Sequence, residues 1–88
     1  MRLDENLIVT HVGSDTVAVP VGAAAERLHG IVRLNETAVD ILDCLKTETT
    51  EAEIVEKMLD RYEAGRDEIA AGVAETLRKL REIGALVE

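Results

Sequence analysis

The pattern of the chain predicts an α+β fold, with three short β-strands followed by three α-helices. Three observations carry that expectation. Residues 7–34 are dense in β-branched and apolar side chains, broken by turn residues. From Asn35 onward, apolar residues return every three or four positions. Each helical stretch also opens on a capping residue and closes on a glycine or a polar break.

The first strand is Leu7-Ile8-Val9-Thr10-His11-Val12. Gly13-Ser14-Asp15 is turn chemistry, and Thr16 to Val21 forms the second strand of a hairpin. Val17, Val19 and Val21 alternate onto one face, as a half-buried strand requires. Pro20 has no amide hydrogen to donate, so it belongs at an edge or at the strand end. Residues 22–30 read as a connector in which three alanines could form one helical turn. Ile31-Val32-Arg33-Leu34 is the third strand.

Asn35 caps the first helix, and Ala38, Ile41, Leu42 and Leu45 form its buried face. Thr50-Glu51-Ala52-Glu53 has capping-box form and opens the second, whose stripe is Ile54, Val55, Met58, Leu59 and Tyr62. Gly65 is placed to end that helix as a left-handed residue. Asp67 caps the third helix, whose seam is Ile69, Val73, Leu77 and Leu80. Gly84 stops it, and Ala85-Leu86-Val87 either pack back or add a short strand. Short helices joined by short turns beside a small sheet give a winged helix-turn-helix-like architecture.

The 88 residues are expected to form a single domain, 1–88. Its core must be aliphatic, because the chain has no Phe, no Trp and one Tyr. There is no signal-peptide pattern and no apolar run of bilayer length, so the expected location is cytoplasmic.

The catalytic inventory is thin. His11 and His29 have no second ligand at metal spacing, and the lone Cys44 sits among core leucines. No acid and base pair up, and no glycine pattern cradles phosphate. No cofactor and no enzymatic activity are expected. Gly72 stands out inside the third helix, where it costs about 1 kcal/mol against alanine. It either permits close approach of a strand or a ligand backbone, or is simply tolerated.

A helix-turn-helix raises DNA binding, so a winged-helix transcriptional regulator is the alternative reading. Against it stand a net charge of −8 and nine acidic residues between Glu36 and Glu63. The third helix offers only Arg78, Lys79 and Arg81 as cations. Phosphates would meet repulsion, so no nucleic acid is expected as partner.

Gly30-Ile31-Val32-Arg33-Leu34-Asn35-Glu36-Thr37-Ala38, a short strand running through Leu-Asn into a helix, resembles the PqqD-like family. Thr49 to Val55 is similar to that family's second-helix start, and Leu59-Asp60-Arg61-Tyr62 to the end of that helix. Val73 to Leu80 and Ile83-Gly84-Ala85-Leu86 resemble its closing helix and tail, so the likeness covers nearly the whole chain. The connector from Ala23 to His29 departs from the tight turn of many members.

The resemblance implies a RiPP recognition element, RiPP denoting a ribosomally made, post-translationally modified peptide. Such domains bind the leader of a precursor peptide and present it to a modifying enzyme, often a radical S-adenosylmethionine protein; coenzyme PQQ synthesis is one such pathway. The implied mode is β-augmentation, in which the leader adds a strand to the edge Ile31, Val32, Arg33 and Leu34. The opposite wall is the third helix, with Val73, Thr76, Leu77, Lys79 and Leu80 as contact residues. Leu77, Val73 and Leu80 also belong to the core seam, which leaves Thr76, Arg78 and Lys79 as the exposed rim. An exposed edge strand could also pair with its own copy to form a homodimer.

Overall fold

A computed structural model of the chain describes residues 1–22, 24–27 and 30–88. Among these residues the chain is α+β, with two small antiparallel sheets. β2 (Leu7–Val12), β3 (Asp15–Pro20) and β4 (Val32–Leu34) form a sheet in that order. β1 (Arg2–Leu3) pairs with β5 (Leu86–Val87), and these two strands bring the chain ends together. α1 (Ala24–Arg27) is a single turn between β3 and β4. α2 (Glu36–Cys44), α3 (Glu51–Arg61) and α4 (Arg66–Glu82) follow. None of the described helices is long and apolar enough to cross a membrane.

The β2–β3 hairpin is tighter than the sequence implies. Val12 pairs with Asp15, so the turn is Gly13-Ser14 alone and β3 runs from Asp15 to Pro20. The cause is Gly13, whose φ of 64° fits a two-residue hairpin turn. Pro20 ends the strand, and Val21 falls outside it, exposed.

The core face of β3 also differs from the one expected. Directly paired residues share a face. Ala18 opposes Val32 and Thr16 opposes Leu34. Val32 and Leu34 are buried, and Ala18 is fully buried beside them in the core cluster. Val17, although buried, lies on the other face between its partners Thr10 and Arg33. The valines of β3 therefore look away from the core, because the register is fixed by β4.

In the connector, α1 supplies the helical turn that the alanines suggested, lying against β3. Positions 23, 28 and 29, His29 among them, lie outside the described residues.

Asn35 caps α2 as expected: its Oδ1 accepts from the Ala38 amide at 2.9 Å. Thr50 caps α3, accepting from the Glu53 amide at 3.2 Å. Two expectations about α4 are corrected. Gly65 is not a left-handed terminator; its φ is −69° and it is the N-cap of α4. Asp67 lies within the first turn instead of capping it. The reason is that α3 already stops at Arg61. Tyr62 is extended there, with φ −125° and ψ 139°, so it sits past the helix and not in its stripe. Gly84 does take a positive φ, 78°. Its amide donates to Arg81 at 3.0 Å and the Ala85 amide to Leu80 at 2.8 Å, a Schellman ending that turns the chain into β5.

The core is aliphatic, as the composition requires. Its largest fully buried side chains are Ile41, Leu42, Leu45, Ile54, Met58, Val73, Leu77 and Leu80. Helices and sheet meet there, and this packing sets α4 alongside β4.

Candidate functional site

β4 is the last strand of its sheet. One of its edges is paired with β3; the other has no strand partner among the described residues. In such an edge, alternate residues turn their N–H and C=O groups outward. Beside it runs α4, and between them lies a groove of about 400 Å³. β4 contributes Val32, Arg33 and Leu34 to it, and α4 contributes Gly72, Glu75, Thr76 and Lys79. Asn35, Thr37 and Ala38 line its Leu34 end. A smaller hollow of about 260 Å³ continues past the other end, lined by Ile31, Lys79, Glu82 and Ile83.

The residues singled out from the sequence divide into two sets. Ile31, Val32, Arg33, Leu34, Thr76 and Lys79 line this continuous surface. Ile31 sits just before β4 and is 61 % exposed. Val73, Leu77 and Leu80 are almost wholly buried and support the helix from the core. Gly72, left open from sequence between close approach of a strand or ligand backbone and simple tolerance, is a groove residue, and so is Glu75, which had no binding reading. The signal was present, because 72, 76 and 79 recur at helical spacing, one position before the apolar seam of 69, 73, 77 and 80. A Cβ built on Gly72 would meet nothing within 4 Å, so this face of the helix stands open.

Charges on α4 sort by geometry. Arg78 reaches Glu75 and Glu82, each at 2.5 Å, and is spent on its own helix. Its guanidinium holds the Glu75 carboxyl below the usual carboxylate range. Arg81 pairs with Glu88 at 2.9 Å. Lys79 makes no ion pair among the described residues and faces the groove, while Arg33 is 82 % exposed and only loosely paired with Asp15 at 3.7 Å. The groove therefore has two available cations on opposite walls.

Other chemistry-bearing residues lie elsewhere. Cys44 is buried in the core. His11 is exposed on β2, its Nδ1 3.1 Å from the Thr16 hydroxyl. A larger hollow of about 550 Å³ lies across the molecule between β2 and α2.

In this small α+β unit an edge strand with no strand partner among the described residues is set against a long helix, with room between them for an extended chain. The sequence matches the family model "Coenzyme PQQ synthesis protein D (PqqD)" over residues 12–86, and the chain belongs to that family. Comparison with curated proteins by sequence returns no match. Two solved structures share the fold. "TbiB1 in Complex with the TbiA(beta) Leader Peptide" aligns over 100 % of both chains with a TM-score of 0.67 and 16 % identity. "Lasso peptide synthetase B1 complexed with the leader peptide" covers 99 % of this chain and 96 % of its own, with a TM-score of 0.69 and 22 % identity.

Proposed function

We propose that this chain is a non-catalytic capture module that takes the leader of a ribosomally made precursor peptide as a strand added to β4. It then presents the remainder of the precursor to a modifying enzyme, by the family resemblance one of the radical S-adenosylmethionine type. Membership of the PqqD family supports this reading, as do two fold relatives solved in complex with leader peptides. The observation that carries it is the edge of β4 that has no strand partner among the described residues, beside the groove of α4.

The physical division of labour follows from lengths. β4 has three residues and only alternate ones face outward, so roughly two to four ladder bonds supply about 2–4 kcal/mol at ~1 kcal/mol net each. Micromolar capture needs ~8 kcal/mol. Side chains entering the groove must provide the rest, and with it the specificity. Arg33 and Lys79 favour a leader with an acidic residue between them.

The test is a titration with the leader encoded by the precursor reading frame beside the gene, followed by NMR. Amide shifts should concentrate at Ile31 to Leu34 and along the Gly72, Thr76 and Lys79 face. Methylating single backbone nitrogens of the leader should weaken binding at alternate positions only, since every second amide faces β4. Shifts confined to the β2–α2 side, or uniform tolerance of methylation, would refute strand addition.

A further inference from the structure

The groove does not end at Gly72. A second hollow of about 360 Å³ lies between the first half of α4, α2 and the end of α3. Its floor is apolar, made by the buried side chains of Ile41, Met58 and Ile69, with Tyr62 and Ala64 at its mouth. Thr37 and Gly72 line both hollows, so the two form one trough with a shared saddle. That saddle is low because Gly72 has no side chain and nothing lies within 4 Å of where a Cβ would stand. A mid-helix glycine that is costly for α4 thus stands on the saddle, opposite no side chain within 4 Å, and leaves the passage wide.

We propose that this second hollow is an anchor subsite for the same peptide, taking one bulky apolar side chain from the flank that precedes the added strand. The inference rests on the strand-addition reading and specifies its ligand. The sheet pairs antiparallel throughout, and an added strand of the same kind runs from the Leu34 end of β4 toward Ile31. Its N-terminal flank then passes over Thr37 and Gly72. From Lys79, beside Arg33, back to Ile69, α4 covers about 15 Å at ~1.5 Å per residue. An extended chain at ~3.3 Å per residue covers that in about four or five residues. The anchor therefore lies about that far upstream of the residue facing Arg33. Glu63 and Glu68 rim the hollow, and no ion pair holds either among the described residues. The anchor's neighbours are accordingly basic or neutral, and acidic residues belong at the Arg33 and Lys79 end.

Panning the full chain against displayed random peptides long enough to span both hollows tests this. Recovered binders should carry a large aliphatic or aromatic residue four or five positions before a β-prone stretch. One binder is then synthesised with and without that flank, and with the anchor changed to Ala. Loss of the flank or of the anchor should weaken binding about tenfold to a hundredfold, the worth of one buried apolar side chain. Ala64→Phe, which fills the hollow, should reduce the long peptide to the affinity of the short one and leave the short one unchanged. The peptide substitution makes the same comparison without touching the protein's folding. Equal affinity of long and short peptides, or binders without an upstream apolar position, overturns the anchor and leaves strand addition standing. Binders that ignore groove residues such as Lys79 overturn both.

Discussion

On α4 a shift of one position separates support from contact. Leu77 is fully buried, whereas Thr76 beside it in sequence lines the groove. Lys79 and Leu80 divide in the same way. Tyr62, the lone aromatic residue, shows how one side chain joins elements. Its hydroxyl donates to Asp40 on α2, and Asp40 also meets Arg61 at 3.2 Å. The hydrogen bond to Asp40 is the main cause that pushes the phenol up from 10.0 to about 12. The folded state therefore holds the phenolic proton more tightly than the unfolded chain. The resulting stabilisation is fully present below pH 10 and is lost as pH rises from about 10 toward 12. A phenolate absorbance titration should show the raised midpoint, and Asp40→Asn should bring it back toward the ordinary value. An unchanged midpoint in that variant would show that Asp40 is not the cause.

At the scale of elements, β4 is short but held from both sides of its sequence. Val32 and Leu34 bury toward the core, and Asn35 fixes the start of α2 at once afterwards. Asn35 Oδ1 accepts from the Ala38 amide and, at 3.0 Å, from the Thr37 hydroxyl. Asn35→Ala should cost about 1 kcal/mol in urea unfolding, the usual worth of an N-cap. It should also weaken peptide capture, because Asn35, Thr37 and Ala38 line the groove where it leaves β4. A destabilised variant with undiminished capture would separate the cap from the site. Caps with a side-chain acceptor, Asn35 and Thr50, were legible from sequence because their chemistry is local. Gly65 was not: whether a glycine ends one helix or begins the next depends on where α3 stops, and the extended Tyr62 sets that point.

For the whole molecule, charge decides between classes of partner. The chain carries −8 overall, and ion pairs with neighbouring carboxylates occupy Arg78 and Arg81. Duplex DNA should not bind measurably even at low salt, where phosphate contacts are strongest. Peptide capture should fall only mildly with added salt, through Arg33 and Lys79, and Lys79→Ala should flatten that dependence. A steep salt slope for DNA retention, or a peptide affinity independent of Lys79, would count against the groove as described. The two-stranded sheet of β1 and β5 belongs to this scale too. Two-residue strands leave almost no pattern in sequence, and they form because Gly84 turns the chain back toward the N-terminal residues.

The sequence alone determined the α+β class, the aliphatic core, the seam of α4 and the hairpin, because periodicity and capping act within a few residues. The tertiary structure decided which face of β3 is buried, which cations are free, and that the groove runs past Gly72 into a second hollow. Those features depend on register and packing between segments far apart in the chain, and no local pattern encodes them.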